Sequence, residues 1–360
     1  MTATLRIEVR PTGPGDLDAV TALLSERDGR ALELAHVSAA LFGLDPAHLA
    51  GWIASVGGKP AGFTSLYVRD QRWGDRTIRA GYWAHLFVRE ACRRFMVYPQ
   101  LVLAMMRGIK PLGIDAIFTG TRRPHVAQGH EKLGFARVGG LRVMFKPLRP
   151  FRLLARYKGW PGVLRAAAVP GDAAYGAWLK LRRGGSDAAL AIREMDAGEH
   201  AMEMIPTLLN ASGEGRVSQV WTPETLRRRL AGTIDGERYT VLAADRGGEV
   251  VAALVYRLAS RERVRVGIIM EVVNARTERR AAPALLAEAE RRMRGEGADT
   301  TLYLDGLGSA AADLLRSSGH RVASGETYQM LVWPKTLAPR DSVAADLANW
   351  RFSFLDHDAF

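Results

Sequence analysis

The sequence repeats one pattern of elements at a spacing of about 185 residues. Ile7-Glu8-Val9-Arg10 is matched by Ile192-Arg193-Glu194-Met195 (192 − 7 = 185), and the apolar run 81–88 by 266–273 (266 − 81 = 185). Residues 116–119 are matched by 300–303 (300 − 116 = 184), and Gly134 by Gly319 (319 − 134 = 185). The letters differ while the order of elements persists. Such a period is too long for a solenoid repeat and fits two copies of one domain. Two unrelated α/β domains sharing a rhythm are the alternative.

A length of 360 residues suits two cores better than one. The chain is 48% hydrophobic with a mean hydropathy of −0.07, a globular composition. No run approaches the roughly 18 apolar residues of a membrane helix. The first residues carry no apolar core of signal-peptide type, so a cytoplasmic location is expected. A lone cysteine, Cys92, excludes an internal disulfide and argues against a cysteine-built metal site. The net charge of +12 favours acidic partners: nucleotide phosphates, acidic carrier proteins, anionic lipid or nucleic acid. No recognition motif supports specific nucleic-acid binding.

In the first half, a strand over 5–10 leads to a helix over 17–24 with Asp16 as its N-cap, then a helical stretch over 31–41. Strands 52–56 and 61–68 flank the turn Gly57-Gly58-Lys59-Pro60. The apolar strand 81–88 belongs at the centre of a sheet. A helix over 98–107, with Pro99 in its first turn, precedes the strand 116–121. A short helix from Pro124 ends at Gly134, and 137–148 supplies closing strands.

The second half runs in the same order. A helix capped near Asp196 precedes a hairpin around Gly247-Gly248 and the central strand 266–273. A helix over 283–294, a strand over 300–304, a helix ending at Gly319 and a closing strand over 327–333 follow. The expected organisation is a domain over 1–149, a basic linker over 150–190, a second domain over 191–336 and a tail over 337–360. Within the linker, Arg149, Arg152, Arg156, Lys158 and Arg165 alternate with Phe151, Leu153, Leu154, Tyr157 and Trp160. Pro161-Gly162 breaks any long helix, which favours a linker packed across the domain interface over a membrane-surface element.

Leu86-Phe87-Val88 is followed by Arg93, a helix, Ala127, and then His130-Glu131-Lys132-Leu133-Gly134-Phe135. With this element order, the chain resembles the GNAT superfamily of N-acyltransferases. The last run is similar to the family's Tyr-x-Lys-x-Gly-Phe segment, with His130 in place of the tyrosine. The resemblance implies an α/β (α+β) fold with two tandem GNAT-like domains. Each would hold a mixed, mostly antiparallel sheet flanked by helices, with a splayed central strand pair. It also implies acetyl-CoA or another acyl-CoA as cosubstrate, or an acidic acyl-carrier protein as donor, and the amine of a small molecule as acceptor.

By the same resemblance, Leu86, Phe87 and Val88 would bind the pantetheine arm, and Arg93 and Arg94 the pyrophosphate. At the same offset the second half offers Val272, Val273, Arg279 and Arg280. Met96 and Tyr98 depart from the small residues usual in the first turn, and Pro283 removes a donor from the second. The ending 349–358 resembles the Trp-to-Asp-x-Asp terminus of tandem bacterial acyltransferases of polysaccharide and natural-product pathways.

His130 is the candidate acid for a departing thiolate, because imidazole titrates near neutral pH. His85 on the central strand is a candidate base, or orients a water; Tyr82 and Thr119 stand at the cleft edge, and His125 faces solvent. The second half has Leu315 at the position of His130 (130 + 185), leaving Glu271 as its polar candidate. Burial would raise that carboxyl and make it a base, or an arginine would pair with it. No Walker loop, Gly-x-Gly-x-x-Gly, Gly-x-Ser-x-Gly or His-Glu-x-x-His run is present. Asp356-His357-Asp358 is read as a docking tail, and no metal is expected. The expected function is N-acyl transfer; a degenerate, non-catalytic scaffold is the alternative.

Overall fold

The structure is a computed structural model. It describes residues 6–42, 48–182, 189–196, 200–231, 237–261, 264–275, 278, 280–306, 310–323, 328–339 and 342–357. The chain divides into two compact units, Met1–Gly139 with Tyr328–Asp346, and Gly140–Thr327 with Leu347–Phe360.

The first unit contains β1 (Ile7–Pro11), β2 (Leu49–Val56), β3 (Lys59–Trp73), β4 (Arg76–Val88) and β5 (Ala116–Thr121). They pair in sequence order, antiparallel except for β4 with β5. The strand Tyr328–Trp333 then adds antiparallel to β5 and completes this sheet. On one face, α1 (Leu17–Asp28) buries Val20, Leu23 and Leu24 against Ile53 and Phe63. Each such side chain removed from water stabilises the unit by about 1.5–3 kcal/mol. On the other face, α2 (Val97–Gly108) and α3 (Pro124–Lys132) pack Leu101, Met105 and Ala127 on Trp83 and Ile117. Asp16 directly precedes α1, but it accepts hydrogen bonds from Arg10 at 2.6 and 2.8 Å and from the Gly13 N–H instead of capping the helix.

In the second unit, β6 (Ala136–Pro147) contributes residues 142–147, antiparallel to a strand of the second half. Next in sequence are α4 (Pro150–Tyr157), α5 (Gly162–Arg182), β7 (Ala191–Met195), α6 (Met204–Ser212) and α7 (Pro223–Leu230). The strands β8 (Tyr239–Arg246), β9 (Glu249–Arg261), β10 (Val264–Asn274) and β11 (Thr300–Asp305) complete the sheet, with α8 (Ala281–Gly295) and α9 (Ala310–Ser317) around β11. The order is β7-β8-β9-β10-β11-β6, and only β10 with β11 is parallel. Tyr256, Ile269, Leu285, Tyr303 and Leu315 centre the core.

The expected mixed, mostly antiparallel sheets with a central apolar strand are both present. The closing strands differ from expectation. Residues 137–148 were expected to finish the first sheet and 327–333 the second; each pairs with the opposite half's strand. Alternating apolar residues specify a strand with one buried face and leave its partner open. The linker region folds as α4 and α5, broken at residues 158–161 around Pro161.

The Lys-Leu-Gly-Phe run has a backbone cause. Gly134, at φ +89°, ends α3, and the Phe135 N–H returns to the His130 carbonyl at 3.2 Å. Gly319, at φ +98°, ends α9, and the His320 N–H returns to the Leu315 carbonyl at 2.9 Å. This is one helix-ending motif used twice, and glycine fits it because the left-handed backbone penalises a Cβ.

Candidate functional site

Each unit contains a fork between its two parallel strands. In the first, the ladder of β4 with β5 runs from Ala80↔Ala116 to Tyr82↔Phe118 and stops. There the Thr119 hydroxyl donates to the Trp83 carbonyl at 3.1 Å. Residues His85, Leu86, Phe87 and Val88 continue along β3, and among the described residues no strand pairs with their other edge. The β3–β4 register steps from Ser65↔Ala84 to Phe63↔Phe87, so β4 holds an extra residue, and His85 sits there at φ +55°. A bulge of this kind bends the strand and turns backbone groups out of the ladder.

Beyond β4, the segment Glu90–Phe95 turns into α2 through Met96, at φ +59°. Arg93 and Arg94 are exposed at this helix start; Arg93 Nε donates to the Val88 carbonyl at 3.4 Å, and Arg94 lies over the Phe95 ring. Met96 is exposed, so its side chain points away from the turn's core. Two cationic side chains and a helix N-terminus make this end of the fork suited to an anion.

The two candidate histidines of this unit, His85 and His130, lie on opposite faces of the sheet. His85 Nδ1 is 2.9 Å from Arg27 Nη1, and its Nε2 is 3.0 Å from the Tyr67 hydroxyl. A guanidinium only donates, so Nδ1 accepts and the neutral ring carries its proton on Nε2. Arg27 is itself paired with Asp28 at 2.6 Å. Burial first, and then the charge of Arg27, pull His85 down to about 3. His85 is therefore neutral near pH 7, with its basic lone pair occupied by Arg27. His130 is enclosed by Trp83, with ring centroids 4.3 Å apart, by Phe135 and by Tyr98. It is 2% exposed, and burial pulls it down to about 4. Its Nδ1 lies 3.0 Å from the Tyr98 hydroxyl, which burial pushes up to about 12. Tyr82 lies under Arg69, against Phe118.

In the second unit the ladder of β10 with β11 runs from Val266↔Thr300 to Ile269↔Tyr303. The β9–β10 register steps from Tyr256↔Ile269 to Val255↔Glu271, so the extra residue is Met270, at the offset of His85 (85 + 185). This fork is occupied by the chain's own end. The Leu355 N–H donates to the Met270 carbonyl at 3.0 Å, and the Phe352 carbonyl lies so near Gly306 that a Cβ there would collide with it. Trp350, Phe352, Phe354 and Leu355 are buried, and Arg229 donates to the Leu355 and His357 carbonyls at 2.9 and 3.0 Å.

Glu271 is fully enclosed there. One carboxylate oxygen accepts from the Val272 N–H at 2.8 Å, and the other meets Arg351. Burial pushes its carboxyl up, and Arg351 pulls against that. Asp356 accepts from the Ser353 N–H at 2.8 Å and lies 3.9 Å from Arg351. Val272 and Val273 are buried, and Arg280 is exposed at the start of α8. Arg279 and Asp358 lie outside the described residues. Leu315, at the position of His130, lies in the core.

The structure therefore brings Leu86, Phe87, Val88, Arg93 and Arg94 to one edge of the first unit. It sets His85 and His130 on separate faces, and seals Glu271 beneath the tail. Sequence reasoning did not single out Tyr98 as a polar partner of His130, or Arg27 and Arg351 as partners of His85 and Glu271. A signal for the tail exists in Trp350, Phe352 and Phe354, whose period of two marks a buried extended segment. Among the described residues no group of three or more His, Cys, Asp or Glu could hold a metal ion, and no helix is long and apolar enough to cross a membrane.

No protein-family model matches the sequence, and no curated protein does so. Solved structures do. A GCN5-related N-acetyltransferase from Anabaena variabilis is similar with a TM-score of 0.62 at 10% identity, over 91% of this chain and 72% of that one. An Enterococcus faecalis protein described as a probable N-acyltransferase is similar with a TM-score of 0.63 at 9% identity, over 91% and 72%. Saccharomyces cerevisiae N-myristoyltransferase with bound myristoyl-CoA is similar with a TM-score of 0.64 at 12% identity, over 92% and 80%. At these identities the likeness is one of fold alone, the fold that these structures share.

Proposed function

We propose that the chain is an acyl-CoA-dependent N-acyltransferase whose thioester site is the β4–β5 fork of the first unit. The observation that carries this is the broken parallel ladder. It leaves the edge of β4 from His85 to Val88 open, next to a bulge and the arginine-flanked start of α2. Pantetheine amides would pair with that edge as a strand does, and the pyrophosphate would meet Arg93, Arg94 and the α2 N-terminus. The second fork does not take a thioester, because Phe352 and Leu355 hold it.

Transfer joins the amine nitrogen to the acyl carbon and breaks the carbon–sulfur bond. The nitrogen gives up one proton to solvent water, and the sulfur takes one from a protein acid that solvent then reprotonates. With His130 neutral at working pH, the proton for sulfur comes from the Tyr98 hydroxyl, and His130 holds that hydroxyl in place. His85 is a positioning residue that fixes Tyr67 and Arg27 on the α1 face, where the amine would approach. The acceptor is a small-molecule amine of a biosynthetic pathway in the cytoplasm, and acetyl-CoA or a longer acyl-CoA is the donor. An acidic acyl-carrier protein would suit the same basic turn.

The second reading, a non-catalytic scaffold, is favoured by Met96 in the phosphate turn and by the tail in the second fork. Incubation with acyl-CoA donors and an amine panel, read by mass spectrometry beside calorimetry with CoA, separates the two. Acylated amine and a single CoA site support transfer; no thioester binding leaves the scaffold.

A further inference from the structure

Helix α4 is turned inside out. Its side chains at Phe151, Leu154 and Tyr157 share one face, at i, i+3 and i+6, and that face meets solvent. Their exposures are 49%, 45% and 78%. Its arginines point to the protein. Arg152 Nε lies 3.5 Å from Asp172, Arg156 pairs with Asp299, and Arg149 donates to the Arg294 carbonyl at 2.5 Å. Asp172 also accepts the Phe151 N–H at 3.0 Å, which fixes the helix start. A water-facing helix has the opposite arrangement. Exposed Trp178, stacked on Tyr175 at 5.6 Å, extends the stripe, and Trp160 and Val169 are exposed on the same hairpin. Phe151, Gly171, Ala174, Tyr175 and Trp178 line a shallow apolar cleft within it.

The charge of this region indicates what covers the stripe. Residues 149–183 carry eight lysines and arginines; with Arg152 paired to Asp172 and Arg156 to Asp299, six cations remain to make the hairpin positive (8 − 2 = 6). Exposed Lys158 lies beside Tyr157. Exposed tryptophan and tyrosine amid positive charge is the composition of a surface that lies at a lipid headgroup boundary.

We propose that the α4–α5 hairpin docks on an anionic phospholipid bilayer, with Phe151, Leu154, Tyr157 and Trp178 inserted among the headgroups. The test is sedimentation of the full chain with phosphatidylcholine vesicles, with and without phosphatidylglycerol. The chain pellets with the anionic vesicles and far less with phosphatidylcholine alone. Leu154→Ser with Tyr157→Ser weakens that binding at least about tenfold without shifting the melting curve, because both side chains are exposed. Lys158→Glu weakens it about tenfold. Brominated lipid quenches tryptophan emission in the parent and not in the double variant.

No pelleting with phosphatidylglycerol vesicles at low salt overturns the proposal. So does pelleting that the double variant keeps unchanged, which marks diffuse charge attraction. A dimer that the double variant dissociates, with no vesicle binding, would assign the face to a second copy of the chain.

Discussion

In the first unit the parallel ladder stops at Tyr82↔Phe118, and among the described residues no strand pairs with the edge of β4 beyond it; in the second it stops at Ile269↔Tyr303, and the Leu355 N–H takes the bulge carbonyl. The two forks share their backbone devices: a parallel pair, one extra residue in the central strand at a spacing of 185 residues (270 − 85), and a glycine-ended helix beyond. They differ in what the side chains do. His130 rests on Trp83 and Tyr98 in one, and Leu315 fills the equivalent place in the other. The difference teaches that the sheet imposes the bulge and the helix end on any sequence that builds it, while an occupant of the fork is chosen residue by residue.

The largest effect that would break this comparison is on the sealed fork. Arg351→Ala leaves Glu271 buried without its cation and costs about 3–5 kcal/mol of stability, read by denaturant unfolding. A loss under about 1 kcal/mol would mean the tail is loosely seated. On the open fork, Arg93→Glu with Arg94→Glu weakens CoA binding about a hundredfold, whereas Arg280→Glu changes it less than about twofold. Calorimetry on both variants gives the contrast, and equal losses would erase it.

Tyr98→Phe sharpens the first fork further. It lowers kcat about tenfold to a hundredfold with KM for the thioester nearly unchanged. An unchanged kcat would move the proton donor elsewhere.

The smallest effect is a pH slope common to both units. His130 is held at about 4, and His320, bonded to Thr301 and Ser318, at about 3, both through burial. Each titrates near 6.5 when unfolded. Above about pH 6.5 neither state takes the proton; as pH falls toward the folded values, only the unfolded chain does, and stability is lost over that window. His320→Gln should flatten the acid-side slope by about 1.4 kcal/mol per pH unit. Unfolding midpoints between pH 7 and 4 read it, and an unaltered slope would show that His320 titrates normally.

Much of the fold was legible because it rests on local rules. The spacing of 185 residues, the apolar central strands and the glycines at 134 and 319 each have a backbone reason that one sequence displays. The exchange of closing strands was not legible, because residues 136–147 and 328–333 have the same alternation and either sheet would accept either strand. The positions of Arg93, Arg94 and the β4 edge at the end of the central strand were legible, because they follow from strand and helix order. The state of His85 was not, since Arg27 lies 58 residues away and reaches it only through packing of α1 on the sheet. Glu271 stood with two readings, base or ion-paired; its partner Arg351 lies 80 residues further on.

The most direct measurement is a crystal structure with a hydrolysis-resistant acyl-CoA analogue. The account predicts density along β4 from His85 to Val88, with its phosphates at Arg93, Arg94 and the start of α2, and residues 350–357 still in place on β10. Density for the thioester arm between β10 and β11, with Phe352 and Leu355 displaced, would contradict it.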